Sequence, residues 1–560
     1  MTEFSSSEEL AGAIIARLDA MQAAGFARRF WNKDSTLWKE DRAVGAKIID
    51  RLGWLDVVEA MEEKIGDLEE FAEEARGDYD HVLLLGMGGS SLCPDLLART
   101  FGPAGGFPAL RVLDSTDPAA VLASERAVDL GRTLFLVASK SGGTAEVDAF
   151  FRYFYGRVRD AGAFVAITDP GSPLEELAKE EGFRRVFLNP PDIGGRYSAL
   201  SLFGLVPAAL LGMDLELLLE RANAVARASG PHARARENPG LWLGAVMAEA
   251  ARAGRDKLTL IASPAIRSFG GWVEQLVAES TGKEGRGILP VDGEPLGEPG
   301  AYGPDRLFVR LRLAGEEEGD VDGRVRAIEK EGHPVITLLL EDRYDLGGEF
   351  FRWEVATAVA GALLEINPFD EPNVKESKDL TRAALGRFEK DGALPESPAL
   401  AEEGGIRLHG DGGLAGAGEK DAIVPWIDAH LSRVRPGDYV ALLAYLPPSH
   451  AIEEELRALR ASLARRTGAA VTVGFGPRFL HSTGQFHKGG PNSGVFLQIT
   501  AEAERDLTIP GLPWSFGVLE RAQALGDLGA LEAHGRRVLR LHIAGDAVPG
   551  IRAIRAGIEG

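Results

Sequence analysis

Apolar and polar positions change rhythm along the chain, and those changes predict its elements. From about residue 10 to 76 apolar side chains recur three and four apart, as in "ELAGAIIARLDAM", which predicts helices. The first short apolar run, "HVLLL" (His81 to Leu85), predicts a strand, followed by a glycine turn and a helix. "LRVLD", ending at Asp114, "TLFLVAS", "FVAITD", ending at Asp169, and "RVFL" predict further strands with helical patterns between them. Strands alternating with helices imply a parallel sheet covered on both faces. From Asn189 to about Asp214 the chain leaves this unit through a polar turn and an apolar helix.

The layout then repeats. "KLTLIAS", ending at Ser263, "RLFVRLRL" and "PVITLLLE" predict strands, and helices are expected from about Ser268 to Ser280 and in "FFRWEVATAVAGALLEI". Two similar doubly wound domains follow, facing each other, with ligand expected at the carboxyl ends of the strands. The Gly-, Ala- and Pro-rich stretch 381–435 reads as a connector. Beyond it "YVALLAYL", "AVTVGF", "GVFLQIT" and "RVLRLHIA" predict strands, with helices from Ala451 to Arg466 and around Leu519 to His534. The order βαββαβ matches a ferredoxin-like α+β sandwich. The expected boundaries are 1–215, 216–380, 381–435 and 436–560.

Composition narrows the partners. A formal net charge of −22 argues against nucleic acid and anionic membrane surfaces as partners, while local donors can still hold a phosphorylated substrate. Cys93 is the single cysteine, so neither a disulfide framework nor a thiolate metal cage is available. An acidic, amphipathic N-terminus and the lack of a bilayer-length apolar run point to the cytoplasm.

Six stretches offer chemistry. In "SKSGGTAEVDAFF" the hydroxyls of Ser139, Ser141 and Thr144 fall on a strand-to-helix turn, where unpaired N–H groups favour an anion; an ordinary N-cap fits the same residues. "GMGGSS" (Gly86 to Ser91), on an expected neighbouring strand end, would complete a phosphate-sized concavity or simply pack helix on strand. It lacks the Lys-Ser/Thr of a nucleoside-triphosphate loop and the dinucleotide spacing. "IGGRYS" places Arg196 after two glycines, as an oxyanion stabiliser or as a surface ion pair. In "SFGGWVEQLVAESTGK" Gln275 and Glu279 are four apart and share a helix face. A glutamate in a last turn faces the negative end of the dipole, which favours a basic carboxylate, although most helix glutamates are simply solvated. "INPFDEPNVKESKDL" puts Lys375 and Lys378 at a helix start, with plain solvent exposure as the alternative. "FLHSTGQFHKGGPNSG" holds His481, His487 and Lys488, suited to acid–base work or phosphate contacts, or else to a polar hairpin loop. Its histidines lack a third ligand at a zinc spacing.

Taken in order, "GMGGSSL", "SKSGGTAE", "GGRYS", "QLVAESTGK", "GEPG" and "INPFDEPNVKESK" resemble the successive signatures of the glucose-6-phosphate isomerase family across residues from about 80 to 380. "FLHSTGQFHKGGPNSGVFLQIT" resembles the extension of the isomerase part of the transaldolase–glucose-6-phosphate isomerase fusion. Here the chain opens on isomerase-type helices, with no transaldolase barrel expected before them. The resemblance implies two sugar-isomerase-type α/β domains with doubly wound parallel sheets plus a C-terminal α+β extension. It also implies reversible aldose–ketose isomerisation of glucose 6-phosphate and fructose 6-phosphate in glycolysis and gluconeogenesis, with no cofactor or metal, and commonly a homodimer. By the same resemblance, Ser139, Ser141 and Thr144 hold the sugar phosphate with backbone N–H groups around Lys140, and Glu146 closes that motif. Gly88, Gly89 and Ser90 line the pocket. Arg196 stabilises an enediolate, Glu279 carries the proton between C2 and C1 with Gln275 beside it, and Lys378 assists at the ring oxygen.

Two other classes compete with this reading. A transaldolase needs a Schiff-base lysine on an eightfold barrel, and two separate sheets do not supply one. A non-catalytic sugar-phosphate-binding protein would keep "SKSGGT" without needing Glu279, Arg196 and Lys378 together. One position departs from the family: the ring-opening histidine after "GEPG" is replaced by Asp305, and no histidine lies between His232 and His333. His481, or less directly His487, is then the expected ring-opening group, on a loop folding over the pocket.

Overall fold

The computed structural model describes residues 2–316, 319–414 and 416–559. Their contacts divide the chain into two units. The first comprises residues up to Asp114, Ser124–Gly293 and Arg306–Asp370; the second comprises Ser115–Ala123, Glu294–Asp305 and Glu371 onward.

The first unit opens on β1 (Thr2–Ser5) and then the helices Glu8–Ala23, Phe26–Trp31, Arg42–Ile49, Val57–Glu62 and Ile65–Asp78. Two of their starts are capped in the expected way: Ser7 accepts from Leu10 N, and Asp41 from Ala43 N and Val44 N. Five parallel strands follow: β2 (His81–Gly86), β3 (Ala109–Leu113), β4 (Thr133–Ala138), β5 (Phe164–Thr168) and β6 (Arg185–Leu188). Their spatial order is β3-β2-β4-β5-β6. Every residue of β4 is buried, the continuous apolar run that a two-sided parallel sheet demands.

A second sheet contains β7 (Lys257–Ala262), β8 (Leu289–Val291), β9 (Arg306–Leu313) and β10 (Val335–Leu340), ordered β1-β10-β9-β7-β8. Its edge is closed by β1, which pairs antiparallel with β10 and matches Thr2 to Leu338. One apolar core joins both sheets, with Phe30, Trp54, Tyr197 and Trp353 fully buried in it.

The second unit departs from the ferredoxin-like expectation. Its strands are β11 (Ala401–Glu403), β12 (Ile406–Gly410), β13 (Tyr439–Tyr445), β14 (Ala470–Phe475), β15 (Gly494–Ala501) and β16 (Arg537–Ile543). The order is β11-β12-β16-β15-β13-β14, and β13 to β16 are all mutually parallel where they pair. A ferredoxin-like sheet would need β14 and β15 joined as a hairpin. Instead, residues 476–493 form a crossover containing the turn Arg478–His481 and the helix Gly484–Gly489. That crossover returns the chain to the starting edge, so the next strand runs parallel. The stretch expected as a connector also contributes, since β12 pairs antiparallel with β16 and β11 antiparallel with β12, extending the sheet.

Side chains alternate along β13. Val440, Leu442 and Ala444 join an apolar core with the helices Val424–Leu431, His450–Thr467 and Ala547–Glu559. On the other face the interior is polar: Gln498 of β15 donates to Ala524 O of the helix Phe516–Ala533 at 3.0 Å.

Candidate active site

The strand order of the first sheet reverses at β2. The chain steps from β2 to β3 on one side, then crosses to β4 on the other. Crevices at such reversals, at the carboxyl ends of the strands, are where open α/β sheets bind ligands. Here those ends are Gly86 and Ala138, which lie side by side. They lead directly into "MGGSS" and "SKSGGT", so the two turns that sequence reading paired are neighbours.

In the second of these turns Ser139 Oγ and Thr144 Oγ1 lie 2.9 Å apart, and Gly143 N points to Ser141 Oγ at 3.4 Å. Ser141 is exposed and Thr144 half-buried, with Thr144 at the N-cap of the helix Ala145–Val158. Thr144 makes no side-chain cap bond, which leaves that helix start open to an external acceptor. Glu146, in the first turn, is buried. The Lys140 ammonium is committed elsewhere, to Asp169 and to Pro191 O, so only the backbone of Lys140 remains for the turn.

The first turn has a different job. Gly88 takes a left-handed conformation and Ser90 is buried. A side chain on Gly89 would collide with the carbonyl oxygen of Gly195, so its bare backbone lets the turn reach the one that carries Arg196.

Arg196 lies on the turn Gly195–Tyr197 and is 4% exposed. Its Nε donates to Ser280 Oγ at 2.8 Å, and one terminal nitrogen donates to Pro368 O and Asp370 O at 2.7 and 3.0 Å. The other terminal nitrogen faces Glu279 Oε1 at 3.2 Å. The second oxygen of Glu279 accepts from Gln275 Nε2 at 3.1 Å. Gln275 and Glu279 therefore share a face of the helix Phe269–Thr281, as their spacing requires, and both are buried. The surface-pair and solvated-glutamate alternatives do not describe these residues.

Sequence reading missed the groups that fix the guanidinium. Ser280 also contacts Tyr197 Oη, at 3.2 Å. The carbonyl of Asp370 is held in turn by Lys283, whose ammonium also reaches the neighbouring Asn367 O at 2.7 Å and the Asp370 carboxylate. Ser280 and Lys283 both follow Glu279 in "ESTGK", so the available signal was a polar cluster at a helix end. One expectation is corrected. Glu279 projects from the last turn of a helix that runs back along its sheet, so the second sheet contributes its amino end to this cluster.

Beneath the cluster, Glu354 of the helix Leu346–Leu363 is fully buried, and neither of its carboxyl oxygens has a hydrogen-bond partner among the described residues. Burial holds its pKa well above the ordinary carboxylate range, so it folds protonated. The unfolded chain releases that proton above about pH 4.3, so folding stability falls as pH rises from there towards the folded pKa. Glu354→Gln cannot titrate. Its stability relative to the parent is expected to grow from pH 4 to 8, by at most about 1.4 kcal/mol per pH unit, in urea unfolding curves. A difference independent of pH would refute a protonated Glu354.

Lys378 and the histidine segment belong to the second unit. Lys378 is exposed on the helix Pro372–Asp391. The expected polar hairpin loop is instead a turn and a helix. His481 is half-buried at the end of the turn. His487 is a core histidine: it is 2% exposed, its Nδ1 lies 2.9 Å from Tyr439 Oη, and Phe496 packs edge-on to its ring. Burial, reinforced by Lys488, holds its pKa well below the usual histidine value and keeps it neutral. Asp305 is half-buried.

Two parallel-sheet layers with such a cluster define a sugar-isomerase-type α/β protein. Comparisons with known proteins specify the family. A model of phosphoglucose isomerase matches residues 47–287, which include both turns, Arg196 and Glu279. The glucose-6-phosphate isomerase of Rubrobacter xylanophilus is 31% identical over 62% of this chain and 91% of its own length. That of Symbiobacterium thermophilum is 31% identical over 60% of this chain and 87% of its own. Among solved structures, hypothetical protein TT0462 of Thermus thermophilus superposes with a TM-score of 0.57 at 25% identity, covering 69% of this chain and all of that one. The chain belongs to the glucose-6-phosphate isomerase family.

Proposed function

We propose that the protein interconverts glucose 6-phosphate and fructose 6-phosphate as an aldose–ketose isomerase. The observation that carries this reading is a buried carboxylate held between a fixed guanidinium and a carboxamide, with Glu279 at 3.2 Å from Arg196 and 3.1 Å from Gln275. Once the sugar ring is open, Glu279 removes the proton from C2. The C2–H electron pair moves into the C1–C2 bond, and negative charge collects on O1. A cation fixed in advance favours such charge because it need not reorganise when the charge appears. A proton passes from the O2 hydroxyl to O1, and Glu279 returns its own proton to C1 as O2 becomes the carbonyl oxygen of the ketose. Lys378 assists at the ring oxygen, and His481, or failing that Asp305, opens the ring. The cytoplasm is the proposed compartment and a homodimer the proposed assembly; among the described residues no helix is long and apolar enough to cross a membrane.

The direct test is a coupled assay in which purified protein converts fructose 6-phosphate to glucose 6-phosphate. No conversion, with phosphosugar binding intact, would favour a binding protein. The phosphate turn is tested separately. Ser141→Ala with Thr144→Ala should weaken binding of 6-phosphogluconate, an open-chain analogue, by about 1 kcal/mol or more per lost charge-assisted contact. Unchanged affinity in calorimetry would place the phosphate elsewhere.

A further inference from the structure

The segment "HSTGQFHKGG" has no part in the chemistry above except through His481, yet seven successive residues within it, Ser482 to Lys488, are buried. Its centre is Gln485, which is fully buried. The Gln485 carboxamide meets Asn373 twice: Oε1 accepts from the Asn373 backbone N–H at 2.9 Å, and Nε2 donates to Asn373 Oδ1 at 2.8 Å. Asn373 is the second residue of the helix Pro372–Asp391, whose first N–H groups have no partner within the helix. No side-chain cap comes from the residue before that helix, so Gln485 supplies from a distance what a cap would supply locally.

Further contacts grip the same two turns. Glu376 Oε2 pairs with His534 Nε2 at 2.7 Å, and His534 also lies 3.3 Å from Asn373 Nδ2. One turn on, Ser377 and Thr381 ride over Gly526 of the helix Phe516–Ala533. A side chain on Gly526 would lie 2.8 Å from Thr381 N, so the helices cross in close contact. Residues 373, 377 and 381 are four apart and form one anchored stripe. Lys378 follows Ser377 and projects to solvent. A helix seated by apolar packing alone can rotate or slip with little change in buried area. Paired polar groups remove that freedom, because a slip leaves a buried donor and acceptor unmatched.

We propose that Gln485 is a positioning residue for Lys378: its buried carboxamide fixes the start, and so the register, of the helix that carries that lysine. This rests on the assignment of Lys378 to ring-oxygen chemistry, and it gives Gln485 a part in catalysis without any contact with substrate.

The test is a double-mutant cycle on the full chain, reading kcat, KM and thermal unfolding for Lys378→Ala, Gln485→Ala and the double variant. Lys378→Ala should lower kcat by about 10²-fold. Gln485→Ala should lower kcat by about tenfold with KM within about twofold, and should change kcat by less than about twofold when Lys378 is already absent. An undiminished kcat in Gln485→Ala would overturn the proposal, as would an equal loss with and without Lys378, because that pattern reports general damage. Parental activity in Lys378→Ala would instead overturn the role of Lys378 and, with it, the proposal. If Gln485→Ala does not fold, His534→Ala, at an exposed ring that pairs with Glu376 and Asn373 of the helix carrying Lys378, carries the cycle. It should lower kcat about threefold, again only where Lys378 is present, and an equal effect in both backgrounds would refute the positioning role.

Discussion

Glu279→Gln is expected to lower kcat by about 10²-fold or more while affinity for 6-phosphogluconate changes by no more than about threefold. Glutamine keeps the length and helix propensity of glutamate but accepts no proton at neutral pH. Both neighbours of Glu279 are donors, the Arg196 guanidinium at 3.2 Å and the Gln275 amide at 3.1 Å. One amide oxygen can satisfy only one of them well, so the variant should also unfold at a slightly lower temperature. Activity close to that of the parent in the coupled assay would remove Glu279 from the reaction.

Arg196→Ala is expected to be more damaging, because it costs both rate and stability. Its guanidinium joins Ser280, the carbonyls of residues 368 and 370, and Glu279. Removing it strands a carboxylate whose side chain is only 10% exposed, and breaking a buried pair in this way typically costs about 3–5 kcal/mol. The rate should fall by about 10²- to 10³-fold, the usual cost of losing a preorganised donor to a developing oxyanion. Arg196→Lys separates the two effects. It keeps the charge and much of the stability but loses the fork that reaches several acceptors at once, so kcat should still fall by at least about tenfold. A lysine variant with parental kcat would show that charge alone suffices.

What sequence alone conveyed follows from how locally each feature is written. "SKSGGT" is bounded by an apolar run and a helical period, so the turn could be placed on the right kind of junction. Gln275 and Glu279 share a face because helix geometry requires it at a spacing of four. The partners of Arg196 are not local: it meets Ser280 across 84 residues and the carbonyl of residue 368 across 172. Nothing in the spacing of "GGRYS" announces that. In the C-terminal unit the strands themselves were visible, but their pairing was not. The segment between β14 and β15 is polar and glycine-rich, which suits a hairpin as well as a crossover, and its buried Phe479, Phe486 and His487 are what tie it to a sheet face. β1, β11 and β12 are too short, at 3 to 5 residues, to show an alternation. Likewise the histidines drew attention by residue type. Type could not separate half-buried His481 from His487, which the interior keeps neutral.

The two units interleave along the chain, which passes from one to the other five times. Thr116 Oγ1, for example, donates to Gln523 Oε1 at 2.7 Å, across 407 residues. On the ribosome, Ser115–Ala123 and Glu294–Asp305 emerge long before the residues that will receive them. The second unit therefore cannot complete itself until the last quarter of the chain is made, and two early peptides wait uncovered for it. A stop codon near residue 370 would thus not deliver a tidy core enzyme. It would leave both peptides without their seat, and such a truncation should be recovered mainly with chaperones or in the insoluble fraction.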